Sequence, residues 1–240
     1  MKTPIIFFDI GSTLMDGPGE SPSSRLTSEL GLEIHDRDLI DSFLFTRNIQ
    51  TSRELIDTFH AHFSQLPRDA DQKIARIWQA QLTDGHVIDG AFNILERLVA
   101  AGYRLGIISN IWKPYFACFQ NLFTQHMDHF KVVILSYETG TTKPDLNIFK
   151  RAMAGFGRYD QAQGMINPQL ACMVGDSYAN DMAPALELGM RTIWILHDQD
   201  RERPHMRDVL LKRKPSPDIT VPALDELLGD KFKILRTLME

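Results

Sequence analysis

Cysteine is scarce: the 240 residues hold two, Cys118 and Cys172. That excludes a disulfide framework and suits a reducing compartment. Both sit in apolar surroundings and read as buried, inert thiols. Long apolar runs are lacking too, and none approaches the roughly 20 residues that span a bilayer. The first, Ile5-Ile6-Phe7-Phe8 after Lys2, is ended by Asp9 far too early for a signal h-region. A cytoplasmic location without membrane association is therefore expected. There is no basic excess either, since 26 Lys+Arg face 31 Asp+Glu for a formal net charge of −5. That disfavours a general nucleic-acid binder. Internal repeats and low-complexity segments are absent, and a composition of 43% hydrophobic and 24% charged residues is ordinary for a globular chain.

What is present is a series of short apolar runs: Ile5–Phe8, Leu105–Ser109, Val132–Leu135, Ala171–Val174 and Thr192–Leu196. Each is continuous rather than alternating and is bounded by Gly, Ser, Asp or Asn. Such runs fit strands buried on both faces of a parallel sheet. Ile219–Val221 fits a sixth, edge strand. Helical patterns separate them: one capped by Asp89 with apolar Phe92, Leu95, Leu98 and Val99, then Lys113–Phe123, Asp145–Ala154 and Asn180–Leu188. The alternation predicts an α/β fold, a Rossmann-like doubly wound parallel sheet.

The segment 16–86 breaks the alternation, carrying helical signals alone. Ser21 caps a helix begun by Pro22 and ended by Gly31. Asp36 precedes Leu39, Ile40, Phe43 and Leu44 at helical spacing. Thr51-Ser52-Arg53-Glu54 is a capping box ahead of Leu55, Ile56, Phe59 and Phe63. Asp69 precedes Ile74, Ile77, Trp78 and Gln81. The expected organisation is thus a discontinuous core, 1–15 and 87–240, interrupted by an all-helical insertion, 16–86, over the carboxyl edge of the sheet. Open α/β sheets bind ligands at that edge. The insertion holds seven Lys/Arg against twelve Asp/Glu, which accounts for the whole net charge. Arg201–Lys214, with six Lys/Arg against Glu202 and Asp208, reads as a solvated connector.

Polar residues that end the buried strands carry the chemistry. Asp9 ends the first, Ser109 and Asn110 the second; Lys143 follows the third, and Asp176 ends the fourth with Asp181 five residues on. In a parallel sheet these ends share one edge, so the carboxylates crowd together and need a cation between them. Oxygen ligands select a hard ion such as Mg²⁺. A lysine with Ser and Asn beside that ion makes a dianion site, with one carboxylate free to act as nucleophile. Taken singly, Asp9 would read as a turn cap, Ser109 as a turn residue, Lys143 as a loop lysine and Asp181 as a helix N-terminal acid.

Together they resemble the haloacid dehalogenase (HAD) superfamily. Its four motifs stand in order: Asp9-x-Gly11-x-Thr13, Ser109-Asn110, Lys143-Pro144, and Gly175-Asp176-Ser177 with Asp181. The insertion resembles the C1 cap of subfamily I. The resemblance implies a hydrolase of small phosphate monoesters in which Asp9 attacks phosphorus and forms an aspartyl-phosphate. Mg²⁺ would be held by Asp9, Asp176 and the backbone carbonyl of Gly11. Ser109, Asn110 and Lys143 would grip the phosphoryl oxygens, Asp181 would bind a metal-bound water or orient Lys143, and Thr13 would stabilise the turn. The expected partner is a small phosphorylated metabolite, and the expected assembly a monomer or homodimer.

One position departs. Phosphatases of this superfamily mostly carry a second Asp two residues after the nucleophile, as acid and base; here that residue is Gly11. General acid–base catalysis is typically worth about 10²–10⁴-fold, so low turnover is expected unless Asp16, His60 or His62 substitutes. The same departure keeps two alternatives open: a metal-independent 2-haloacid dehalogenase and a non-catalytic binding protein. Retention of Asp176 and Asp181 favours the Mg²⁺ phosphatase. Arg47 and Arg53 read as surface arginines of the insertion, and His126 and His129 as packing rather than metal ligands. Pro184 stands where the family more often has Gly.

Overall fold

All four residues of Ile5–Phe8 are buried, because this strand, β1, lies at the centre of the sheet with a parallel neighbour on each side. The computed structural model describes residues 4–160 and 164–239. After β1 come β2 (Met15–Asp16) and four helices, α1 (Pro22–Leu30), α2 (Arg37–Thr46), α3 (Ser52–His62) and α4 (Ala70–Gln81). β3 (His86–Val87) brings the chain back to α5 (Ala91–Ala100), β4 (Arg104–Ser109), α6 (Lys113–Leu122) and β5 (Phe130–Leu135). Then follow α7 (Ser136–Thr139), α8 (Leu146–Tyr159), β6 (Ala171–Gly175), α9 (Ala183–Glu187) and β7 (Arg191–Ile195). The chain ends with α10 (Gln199–Leu210), β8 (Ile219–Val221) and α11 (Asp230–Met239).

The main sheet has six strands in the order β5-β4-β1-β6-β7-β8, all parallel. This is the doubly wound α/β architecture expected of the sequence. The chain runs outward from β1 to β5, then crosses to β6 on the other side. The switch point therefore lies at the carboxyl ends of β1 and β6, where such sheets form a crevice.

Strand periodicity divides the core in two. Ile6 and Phe8 pack with Leu105, Ile107, Leu95 and Phe119 on one face. Ile5 and Phe7 pack with Ile108, Phe149, Met153 and Phe156 on the other. A third cluster is formed by α1–α4: Leu26, Phe43, Phe59, Ile74, Ile77 and Trp78, joined by Trp112 from the loop after β4. These helices leave and rejoin the rest of the chain through the antiparallel pair β2–β3, with Met15 opposite Val87 and Asp16 opposite His86.

Local signals act largely as the sequence suggests. Ser21 accepts from the Ser24 amide, Pro22 begins α1 and Gly31 ends it at φ 66°. Thr51 accepts from the Glu54 amide, but the Glu54 carboxylate returns to Gln50 rather than Thr51, so the box closes one residue early. Arg201–Lys214 is not a solvated connector. Most of it is α10, capped by Asp198, and Glu202 is buried at 3% exposure. The reason is electrostatic: Glu202 accepts the Tyr178 amide at 2.8 Å and pairs with Arg201, so its charge has partners inside the fold. No helix among the described residues is long and apolar enough to cross a membrane.

Candidate active site

Asp9 continues the ladder of β1 by one residue, its amide donating to the Val174 carbonyl at 2.9 Å. The chain then turns back on itself, with the Leu14 and Met15 amides donating to the Ile10 carbonyl at 2.9 and 3.0 Å. Ser12 takes a left-handed backbone at φ 52°. Thr13 is fully buried in this turn, and its hydroxyl makes no hydrogen bond there. Its amide holds the turn, donating to Ile10 at 3.3 Å.

Beyond β6, a single turn of π-helix covers Tyr178–Met182 before α9 begins. The Met182 amide reaches back five residues to Ser177. This shift carries the chain into Pro184, which has no amide hydrogen to place. The turn buries Asp181 completely. Gly175 is required beside it, because a Cβ there would collide with the Asp181 carboxylate.

Lys143 joins the two strand ends. Its ammonium lies 2.9 Å from Asp9 Oδ1 and 2.5 Å from Asp181 Oδ1, and its side chain is buried. Burial opposes that charge, but Asp181 and Asp9 outweigh it and hold the lysine protonated. Asp181 Oδ2 also accepts the Ser177 amide at 3.0 Å. Asn110 clamps the Lys143 backbone in both directions: its amide donates to the carbonyl at 2.9 Å and its oxygen accepts the amide at 2.7 Å. The Asn110 side chain is thereby committed to positioning Lys143. Ser109 is buried at the end of β4 and does not reach the cavity wall, which Asn110 does.

Asp9, Asp176 and Asp181 each bring one carboxylate oxygen within 4.8 Å of the others. Burial, then repulsion from Asp9, raises Asp176 above the ordinary carboxylate range, while Arg201 opposes the rise. Burial likewise raises Asp181, and Lys143 works against it. Two arrivals from α10 complete the cluster. Arg201 pairs with Asp176 and, at 3.3 Å, with Glu202. With all groups ionised, four carboxylates meet Lys143 and Arg201, and two negative charges remain. That is the complement of one divalent cation, and carboxylate oxygens suit Mg²⁺.

Sequence reasoning missed Arg201 and Glu202, whose only sequence signal was the cap at Asp198. It also missed the pair Asp16–His197, joined at 2.9 Å. A cavity of about 430 Å³ opens over Asp9, Gly11, Asn110, Lys143, Asp176 and Arg201. Phe45, Gln81, Ile111, Trp112 and Tyr115 also line it. His60 is bonded to Asp71 between α3 and α4, and neither it nor His62 lines the cavity. His126 stacks on Phe92 and reaches Glu96 at 3.2 Å, a packed arrangement as expected, with a carboxylate neighbour that was not.

Comparison with known proteins places these features. Residues 6–195 match the family model described as haloacid dehalogenase-like hydrolase. Among curated proteins, the chain is 27% identical to glyceraldehyde 3-phosphate phosphatase of Pyrococcus furiosus, over 95% of this chain and 92% of that protein. Among solved structures it resembles a 2-haloacid dehalogenase from Pseudomonas syringae, at TM-score 0.60 and 20% identity over 97% of this chain and all of that one. It also resembles the HAD-hydrolase YfnB from Bacillus subtilis bound to magnesium, at TM-score 0.56 and 18% identity over 98% of this chain and 100% of that one.

Proposed function

The chain belongs to the haloacid dehalogenase-like hydrolases, and on that footing we propose that it hydrolyses small phosphate monoesters with Mg²⁺ through an aspartyl-phosphate on Asp9. The observation that carries this reading is Asp9 in the lining of the cavity, 2.9 Å from a buried lysine and grouped with Asp176 and Asp181. Support for phosphoryl rather than halide chemistry comes from the same two acids and from the phosphatase relative. Support for Mg²⁺ comes from the residual charge of the cluster and the magnesium-bound neighbour of the same fold.

In this reading an Asp9 carboxylate oxygen attacks phosphorus, the ester P–O bond breaks, and the departing oxygen takes a proton. Water then cleaves the acyl phosphate, which regenerates Asp9 and releases inorganic phosphate. Lys143, held by Asp181 and Asn110, attracts the phosphoryl oxygens into line with Asp9. The Asn110 backbone, which lines the cavity, assists it; Ser109, expected from the sequence to do so, stays behind the wall, and Thr13 steadies the turn. Asp9, Asp176 and the Gly11 carbonyl would hold a Mg²⁺ ion, which would supply neutralisation of negative charge. We take 16–86 as a cap that closes over the cavity and excludes bulk water, and 1–15 with 87–240 as the core.

The departing oxygen has no acid at position 11. Of the substitutes considered from sequence, Asp16 lines the cavity. Turnover of the purified protein on a panel of phosphate monoesters, with and without Mg²⁺, tests the reading. Asp9→Asn should lose at least 10³-fold while remaining folded, an order expected for removing a covalent nucleophile. Undiminished turnover in that variant would reject Asp9 as nucleophile. Halide release from 2-haloacids without metal would reject the phosphatase reading itself.

A further inference from the structure

The wall of the cavity contributed by α4 and the loop after β4 carries hydrogen-bond donors that the phosphoryl chemistry does not use. Gln81, the last residue of α4, is 3% exposed and lines the cavity. Its Oε1 accepts the Trp112 indole N–H at 3.1 Å. An indole nitrogen is only a donor, so this bond fixes which end of the amide is which. The NH₂ end is left without a partner among the described residues. Trp112 is itself held edge-on against Trp78, with ring centroids 5.5 Å apart, so the amide has a rigid support.

Tyr115 stands in the same wall. Burial first, then the charges of Asp16, Cys118 and Asp9, keep its phenol protonated and therefore able to donate. Asp16 and Glu20 also line the cavity and disfavour a second anionic group on the ligand. A ligand oxygen in the cavity can accept from the free end of the amide.

We propose that Gln81 and Tyr115 form the subsite for the organic half of the substrate, and that this half is uncharged and carries a carbonyl or hydroxyl oxygen. The proposal rests on the phosphatase reading and sharpens its substrate class. Phosphate esters of small sugars and hydroxy-aldehydes belong to that class; esters bearing a further carboxylate and plain alkyl phosphates do not.

Three probes test it with Mg²⁺ present: glyceraldehyde 3-phosphate, phosphoserine and n-propyl phosphate. The wild type should prefer the first in kcat/KM. Gln81→Glu keeps an oxygen for the Trp112 indole and removes the donor. It should lower kcat/KM for glyceraldehyde 3-phosphate about tenfold or more beyond any loss on n-propyl phosphate, the scale of one hydrogen bond, since the added charge acts on both esters. Gln81→Met should move the ratio as far without adding a charge, and n-propyl turnover within about twofold of the wild type shows that this variant is folded. Tyr115→Phe should shift the ratio in the same direction. A ratio that does not move in the two Gln81 variants overturns the subsite, as does a wild type that prefers phosphoserine. If the wild type turns over no ester, the phosphatase reading fails separately. The same ratio, read as Kd by calorimetry on Asp9→Asn, then decides the subsite.

Discussion

Gly11 sits where a carboxylic acid would serve the reaction, and its surroundings leave room for one. A Cβ built there meets nothing within 4 Å, and its backbone is not in the left-handed region that favours glycine. Gly11→Asp should therefore fold without strain. It should raise turnover of alkyl phosphates about tenfold or more, toward the lower end of what general acid catalysis supplies. p-Nitrophenyl phosphate, whose leaving group needs no proton, should gain little. Comparing the two substrates in wild type and variant makes the test internal. Equal gains on both would mean that the new carboxylate acts on charge rather than on proton transfer. No gain on either would mean that a proton donor already operates, with Asp16 and its partner His197 the groups at hand. The departure at this residue was legible in the sequence; the open space around it was not, because it depends on how the turn after β1 folds.

At the scale of elements, glycine works by close approach as often as by turn geometry. Gly106 lies mid-strand in β4, paired with Phe7 of β1 and Val132 of β5. A Cβ there would come within 2.8 Å of the Phe7 ring and 2.9 Å of the Val132 carbonyl oxygen. One neighbour is backbone and the other a fully buried ring, so neither yields cheaply. Gly106→Ala should destabilise by about 1–3 kcal/mol, as overpacking usually does, with an unchanged slope in urea denaturation. A loss below about 0.5 kcal/mol would show that β4 shifts to absorb the methyl group. Gly155 has the same character: a Cβ there would come within 2.8 Å of Val132. This explains why the helix expected over Asp145–Ala154 runs on to Tyr159. Gly155 marks packing against β5 and Gly157 a close approach to the Gly164 backbone, whereas a sequence reading takes glycine as a stop. The buried strands were legible because burial on both faces leaves continuous apolar runs. The pair β2–β3 was not, since two residues per strand leave no pattern. α10 was not either, since its one well-buried side chain is a glutamate held by an amide and an arginine.

For the whole molecule the governing quantity is charge. The net −5 belongs to residues 16–86, whereas Asp9, Asp176 and Asp181 gather at the carboxyl edge of the sheet. Those strand-end acids were legible as a group, because the order of β1, β4 and β6 in the sheet brings their carboxyl ends together. Arg201 was not, because its helix comes from the far end of the chain. In the folded state the acids crowd one another, and Lys143 and Arg201 offset only part of their charge. Binding of Mg²⁺ to the folded chain should accordingly stabilise it through mass action, by about 2.7 kcal/mol at a hundredfold excess over Kd. For a chain of this length that corresponds to roughly 5–10 °C in Tm, at about 2–4 °C per kcal/mol. Asp176→Asn removes one ligand and one negative charge, leaving the cluster near −1. Its Mg²⁺-induced shift in Tm should fall below half that of the wild type, while Ca²⁺, which tolerates looser oxygen geometry, should lose less. An equal Mg²⁺ shift in wild type and variant would place the cation away from Asp176. A wild type indifferent to millimolar Mg²⁺ would mean that Arg201 and Lys143 alone satisfy the cluster, and the residual charge would then have to be held as protons on its buried carboxyls.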